Sequence, residues 1–246
     1  TVGGTLAPLL PIGLMLLLAN DIRTVFWIAA IPAFLSFLFA WAMLKEPQRH
    51  QDDRESPAWG GWRSLDIGVR RLIGVGFLFS LARFSEGFLI LKALDAGLAP
   101  AWSPLALAMF SLAFLVLAYP AGSLSDRVEP KMLLLGGIAT LIVADLWLAQ
   151  ASALWAVFAG IALWGTHMAL TQGIFARMIA DAAPQHQRAT TFGPSFFASG
   201  TATVLASVGA GWLWDRGGPA ETFTVAAGVA ALAGAMLWLV PARAAP

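Results

Sequence analysis

The residues of this 246-residue chain that could do chemistry lie inside long apolar stretches. Arg83 and Glu86 stand three positions apart in one such stretch, where a charged side chain facing lipid costs about 2.5–3.5 kcal/mol. On one helix this spacing allows an ion pair, so a self-satisfied structural pair is one interpretation. In the other interpretation, Glu86 carries a proton, and Arg83 binds an anionic group or tunes the pKa of that carboxylate.

A second polar group surrounds His167, in the stretch LWGTHMALTQG. Imidazole changes charge in the pH range that suits proton coupling, and Thr171 follows one helical turn later. Gln172 lies about 140° round a helix from His167, so the two side chains do not both point straight into one cavity. The alternative is a histidine that only forms a hydrogen bond to a neighbouring helix.

The chain lacks the usual signatures of an enzyme. It has no cysteine, no H-E-x-x-H motif and no P-loop, and two of its three histidines, His50 and His186, fall in loops. We therefore predict that it is not an enzyme and holds no metal and no cofactor. The absence of a basic stripe also predicts that it has no nucleic-acid partner.

The elements that carry these residues are long enough to cross a membrane. Of all residues 59% are hydrophobic and only 12% are charged, about half the charged fraction of a soluble domain. Runs of roughly 20 apolar residues without polar alternation indicate helices rather than strands. We predict an all-α, polytopic membrane protein with eight transmembrane helices, at about 2–20, 24–44, 67–96, 102–121, 131–151, 154–181, 191–214 and 220–240.

The loops between these spans differ in charge. Ten Lys and Arg residues follow the even-numbered spans, whereas only Arg23 and Arg216 follow the odd-numbered ones. Because positively charged loops stay in the cytoplasm, the even-side loops are predicted to be cytoplasmic. We expect a multi-pass protein in the inner (plasma) membrane of a bacterium.

Two internal similarities relate spans that lie three helices apart. AGSLSDR (121–127) resembles AGWLWDR (210–216), and SEGFLILKALDAG (85–97) resembles TQGIFARMIADAA (171–183). An odd number of helices separates the members, so the last six spans are predicted to form two inverted three-helix repeats. Inverted repeats are a recurring transporter design.

The segment GSLSDRVEPK resembles the cytoplasmic loop signature of the major facilitator superfamily. Six residues match that signature, and Glu129 and Pro130 depart from it. The matching residues are Gly122, Leu124, Ser125, Asp126, Arg127 and Lys131. The resemblance implies that the eight spans are similar to family helices five to twelve. It divides the chain into two helices of the N-terminal bundle (1–44), a cytoplasmic linker (45–66) and a C-terminal six-helix bundle (67–246).

The resemblance also implies a function. Family members move small solutes by alternating access, which predicts secondary active transport, coupled to protons, by a complete protein that is monomeric. The loop residues Gly122, Asp126, Arg127 and Lys131 are expected to steady one conformation of the gate. The family's cavity-lining helices imply a substrate or proton pathway at Arg83, Glu86, His167, Thr171 and Gln172.

The first residues of the chain raise two further expectations. The chain begins inside an apolar segment, which is typical of a fragment of a longer protein. Its opening stretch GGTLAPLLPIG loosely resembles an exporter signature, which favours efflux, although close helix packing explains the same residues. A non-transporting scaffold or receptor derived from a transporter fold is the alternative function.

Overall fold

A computed structural model describes residues 22–43, 65–183 and 188–239, together with positions 14 and 17. Within these ranges the regular structure is helical throughout, as predicted. The eight α-helices are α1 (Ile22–Met43), α2 (Ile67–Leu81), α3 (Gly87–Asp95), α4 (Pro104–Ser125), α5 (Pro130–Gln150), α6 (Leu154–Thr171), α7 (Ile174–Ala182) and α8 (Arg188–Leu239), and a 3-10 turn covers Pro100–Trp102.

Four stretches of the described chain are long and apolar enough to cross a membrane, namely Pro100–Ser125, Pro130–Gln150, Leu154–Ala182 and Thr191–Leu239. The first predicted span, 2–20, and nearly all of the linker at 45–66 lie outside the described residues. The number of eight membrane crossings therefore stays a prediction.

The helices begin where the sequence provides a start signal. Asp66 caps α2, because its Oδ1 accepts a hydrogen bond from the backbone N–H of Gly68 at 2.8 Å. Pro104 and Pro130 occupy the first turns of α4 and α5, where a missing N–H costs no intrahelical bond.

The predicted third span, 67–96, is not one continuous helix. It consists of α2 and α3, which are separated by five residues from Ala82 to Glu86. The expectation that Arg83 and Glu86 share one helix is therefore wrong, because Arg83 lies in non-helical backbone and Glu86 is the residue that precedes α3.

The predicted sixth span, 154–181, is interrupted in the same way. Helix α6 ends at Thr171, and the nine-residue helix α7 begins at Ile174. Gly173 adopts the left-handed conformation, with φ 84°, which an L side chain rarely takes. Helix α3 also has nine residues, so each of the two similar segments at 85–97 and 171–183 places a break before a short helix.

Helix α8 contains a sharp kink at the predicted boundary between the last two spans. Its 52 residues would extend about 78 Å if straight, far beyond the roughly 30 Å of a hydrocarbon layer. Gly218, with φ 73° and ψ −170°, interrupts the helix and is followed by Pro219. The segments before and after Gly218 are called α8N and α8C below.

The core lies among α2 to α8. Helix α8 packs against α2 and α5, while α6 packs against both α5 and α4. Trp164 and Phe223 are the largest fully buried side chains of the described residues. Helix α1, in contrast, exposes its aromatic side chains, including Trp27 and Trp41.

Helix α6 approaches its neighbours closely at glycines. A Cβ on Gly137 of α5 would meet the side chain of Thr171, and a Cβ on Gly165 would meet the backbone carbonyl of Phe110 in α4. At Gly160 a Cβ would meet Leu148 of α5. Such contacts let helix backbones approach closely, which is how membrane helices gain packing energy without a hydrophobic driving force.

Candidate functional site

The break between α2 and α3 holds Arg83 in a partly buried position. Its Nη2 donates to the Sδ atom of Met168 in α6 at 3.0 Å, and its Cζ lies 5.2 Å from the ring centroid of Phe79. The Nε atom is buried and has no hydrogen-bond partner among the described residues. A thioether and an aromatic face are weak partners for a guanidinium.

Glu86 lies at the other end of the same break. It is the N-cap residue of α3, but its side chain makes no capping hydrogen bond. The described residues include no ion pair between Glu86 and Arg83, although the two charges interact over a longer distance. The self-satisfied ion pair that the spacing allowed is therefore not formed.

His167 directly precedes Met168, which Arg83 contacts, and is completely buried. Its ring packs edge-on against Trp164, with 4.7 Å between the ring centroids. Neither Nδ1 nor Nε2 has a hydrogen-bond partner in the described part of the chain, since the nearby Trp164 carbonyl does not reach hydrogen-bond geometry. The alternative of a histidine that hydrogen-bonds to a neighbouring helix is thus not observed.

Trp164 connects this region to α5. Its indole Nε1 donates to Oδ1 of Asp145 at 2.9 Å, while Oδ2 of Asp145 is buried and unpartnered within residues 65–183 and 188–239. Asp145 is fully buried, and Lys92 pairs with Asp95 at 3.7 Å.

Thr171 and Gln172 occupy different environments. Thr171 is buried against α5, and its Oγ1 donates to the His167 carbonyl at 2.9 Å. Gln172 is exposed and lines a crevice of about 470 Å³ between α4 and the α6–α7 break. The crevice residues are Phe114, Ala118, Ala121, Gly122, Ser125, Ala169, Gln172, Gly173, Ile174 and Arg177.

Arg177 is the charged residue of this crevice, and sequence reasoning missed it. Its Nη1 donates to the carbonyl of Ser125 at 3.4 Å, which connects α7 to the last turn of α4. Its Nε lies 3.8 Å from Oδ2 of Asp181. Its position one turn after Gly173 would have been a usable signal, had the helix break been anticipated.

The four residues of the predicted gating loop lie in different environments. Gly122 lines the crevice, whereas Asp126 and Arg127 are exposed and form no ion pair with a described residue. Lys131 instead contacts α8C, where its Nζ donates to the carbonyl of Trp238 at 3.0 Å and lies 5.9 Å from the indole centroid.

The structure therefore brings Arg83 against Met168, the residue after His167, while Trp164 packs against His167 and donates to Asp145. Sequence reasoning missed Met168 and the role of Asp145. A buried tryptophan usually finds a partner for its N–H, and this rule could have pointed from Trp164 to a carboxylate on a neighbouring helix. No group of three or more potential metal ligands occurs in the described residues.

Comparisons with known proteins agree on the kind of fold. A family model described as Major Facilitator Superfamily matches residues 72–246. An uncharacterised MFS-type transporter of Methanocaldococcus jannaschii is 25% identical over 98% of this chain, and the chain spans 61% of that relative's length. The crystal structure of the POT family transporter PepTSo superimposes with a TM-score of 0.57 at 15% identity, over 70% of this chain and 37% of that protein.

Proposed function

Because the chain belongs to the Major Facilitator Superfamily, as its loop signature suggested, we propose that it is part of a secondary active transporter. The complete protein moves a small solute across the membrane by alternating access between two bundles. Residues 1–44 contribute to the first bundle, residues 45–66 link the bundles, and residues 67–246 form the second.

The observation that carries this proposal is the pair of matched helix breaks. The segments at 85–97 and 171–183 resemble each other in sequence, and each begins at an interruption that holds polar residues. Arg83 and Glu86 lie at the first interruption, and Gln172 lies at the second. Discontinuous helices in inverted repeats are a common way to place polar groups at mid-membrane for solute binding.

Glu86 is the proposed proton carrier. It is partly exposed at the first break and has no capping hydrogen bond, so it can exchange a proton without breaking a structural contact. Arg83 is close enough to interact with its charge. His167 and Gln172 complete the proposed pathway, while Thr171 supports it by its hydrogen bond to the His167 carbonyl.

The test uses the complete protein in vesicles with an imposed pH gradient, after a transport screen has identified a solute. Glu86→Gln is expected to abolish pH-driven transport but to leave solute exchange without a gradient measurable. Asp215→Asn is the control, because Asp215 is an exposed carboxylate in helical backbone of α8N and belongs to neither break. Undiminished pH-driven transport in Glu86→Gln would reject the proton-carrier role. Equal losses in both variants would reject it as well.

The inverted repeat makes a separate prediction about topology. Glu129 follows the first AGxLxDR string and Ala220 follows the second, and both are exposed. Because this chain has no cysteine, a thiol reagent reacts within it only at a cysteine that is introduced at one of these positions. In right-side-out vesicles an impermeant maleimide should label Ala220→Cys but not Glu129→Cys. Labelling of both from one side would reject the inverted topology.

Asp126 and Arg127 remain the proposed gating residues. Both are exposed in the loop between α4 and α5, and they are available to contact the other bundle when the cytoplasmic side closes. Helix α4, which precedes this loop, exposes the side chains of Val116 and Tyr119. These exposed side chains support the proposal that this side of the bundle meets another part of the complete protein. The direction of transport, with efflux favoured by the opening stretch, is part of the same proposal.

A further inference from the structure

We propose that Arg83 and His167 form a binding site for the carboxylate group of a small aromatic organic acid. This inference rests on the proposed transport function, for which it names the class of solute. It follows from three features beside the first helix break, namely a cation with few hydrogen-bond partners, a buried imidazole with none in the described chain, and an aromatic wall.

The guanidinium of Arg83 has fewer partners than its five N–H donors require. One donor reaches the Sδ atom of Met168, a weak acceptor, and the Phe79 ring covers one face. No carboxylate of the described chain lies within ion-pair distance of it. A guanidinium inside a membrane bundle normally pairs with an anion, and its planar fork matches the two oxygens of a carboxylate.

His167 provides a second unsatisfied group on α6, directly before Met168, which Arg83 contacts. It is fully buried, its two ring nitrogens have no hydrogen-bond partner in the described part of the chain, and it is near enough to interact with the charge of Arg83. A buried polar group without a partner costs about 1–3 kcal/mol. One N–H donor from the imidazole to a bound carboxylate removes that cost.

The remaining walls are aromatic. Phe79 lies under the guanidinium, and Phe84 follows Arg83 directly and packs 6.0 Å from Trp164, centroid to centroid. Trp164 in turn covers the edge of the His167 ring. These rings favour an apolar, planar body attached to the carboxylate, because aromatic pairs gain energy beyond simple burial.

The break provides access to this site. Ser85 is exposed and Glu86 is partly exposed, so the backbone beside Arg83 reaches the surface of the bundle. Ser85 is held there by a hydrogen bond from its N–H to the hydroxyl of Ser207 in α8N, at 3.3 Å. Glu86 is near enough to interact with the charge of Arg83, and it would compete with a ligand if it turned towards Arg83.

The test is equilibrium binding to the purified complete protein in lipid nanodiscs, with benzoate as the probe. Benzamide has the same shape without the charge, and benzylamine carries the opposite charge. Benzoate should raise the melting temperature in a saturable manner, whereas the other two compounds should not. Calorimetric titration should show that Arg83→Gln weakens benzoate binding by about tenfold or more.

Two further variants keep this test decisive. Arg71→Gln, which removes an exposed cation from α2, should bind benzoate as the wild type does. Arg83→Lys keeps the charge without the planar fork and should retain weakened binding if Arg83→Gln fails to fold. Equal effects of benzoate and benzamide on the wild type would overturn the proposal, as would wild-type affinity in Arg83→Gln.

Glu86 provides the last discrimination. Benzoate binding that occurs only in Glu86→Gln would overturn the proposal, because Glu86 itself would then be the partner of Arg83. The binding measurement needs no gradient and no turnover. An absence of benzoate binding, combined with loss of pH-driven transport in Glu86→Gln, would reject the aromatic-acid site and leave the transport proposal in place. Benzoate binding, combined with normal pH-driven transport in Glu86→Gln, would support the aromatic-acid site and reject the proton-carrier role of Glu86.

Discussion

Oδ1 of Asp145 accepts a hydrogen bond from the indole Nε1 of Trp164 at 2.9 Å, across the interface between α5 and α6. Both residues are almost completely buried, and the indole ring of Trp164 also packs against the rings of His167 and Phe84. A carboxyl group on one helix therefore fixes the indole of another. In the proposed site, Asp145 acts through Trp164 as a positioning residue.

Asp145→Asn should keep this arrangement, whereas Asp145→Leu should disturb it. Asparagine retains an oxygen that can accept the indole hydrogen bond, but leucine leaves a buried N–H without a partner. We expect Asp145→Leu to lower the free energy of unfolding by about 1–3 kcal/mol, as measured by thermal unfolding of the purified protein. Asp145→Asn should stay within about 1 kcal/mol of the wild type.

Benzoate binding to these two variants tests whether Asp145 positions Trp164 for binding or only stabilises the fold. Asp145→Leu should weaken the affinity for benzoate, and Asp145→Asn should restore it. If Asp145→Asn is as damaging as Asp145→Leu in both measurements, the hydrogen bond to Trp164 is not the function of Asp145.

Neighbouring glycines in α5 should respond oppositely to the same substitution. Gly137→Ala places a methyl group against the β-branched side chain of Thr171, which cannot move away easily, and should cost about 1–3 kcal/mol of stability. Gly136→Ala faces open space and should be neutral or stabilising by up to about 1 kcal/mol. Chemical or thermal unfolding of the two variants measures the difference, and equal values would contradict the close approach of α5 and α6.

Gly173→Ala should be unfavourable for a different reason. A Cβ at this position meets nothing within 4 Å, but the backbone is left-handed, with φ 84°. We expect a loss of about 1–2 kcal/mol in the free energy of unfolding from backbone strain alone. Gly228→Ala in α8C, which also meets open space but has no positive φ, is the matched control. A neutral Gly173→Ala would show that the α6–α7 break does not need this conformation.

Lys131 should affect the end of α8 rather than the transport gate. Its hydrogen bond and cation–π contact both go to Trp238, in α8C. Lys131→Met is expected to speed amide hydrogen exchange in the last turns of α8 by roughly fivefold, which corresponds to the loss of about 1 kcal/mol. Unchanged hydrogen exchange together with an altered transport rate would contradict this prediction and would support a role for Lys131 in the gate.

Sequence reasoning reached the fold class and the family but not the helix breaks. Hydropathy measures how well a segment tolerates lipid, and the stretches at 67–96 and 154–181 remain apolar across their interruptions. Signals for the two helix breaks are present in Ser85-Glu86-Gly87 and Thr171-Gln172-Gly173, which are similar to each other. Similarity alone does not indicate non-helical backbone, because glycine and hydroxyl residues also occur inside membrane helices.

The partners of the buried polar residues could not be predicted from the sequence either. Position along a span gives an approximate depth in the membrane, but it does not say which residue of another helix a buried carboxyl group such as that of Asp145 meets. Which neighbour a side chain meets depends on how each helix is rotated and how closely it packs. In this bundle Gly137 and Gly165 determine that approach, and they bring α6, with Trp164, close against α5 and α4.

The glycine contacts of α6 have a mechanical consequence. A helix whose backbone touches both neighbours cannot slide or roll past them without a collision, so α4, α5 and α6 form the stiff part of the bundle. The compliant points are then the non-helical backbone at 82–86, Gly173 and Gly218. If this bundle rocks, bending is expected at those three points, and the short helices α3 and α7 begin directly after the first two of them.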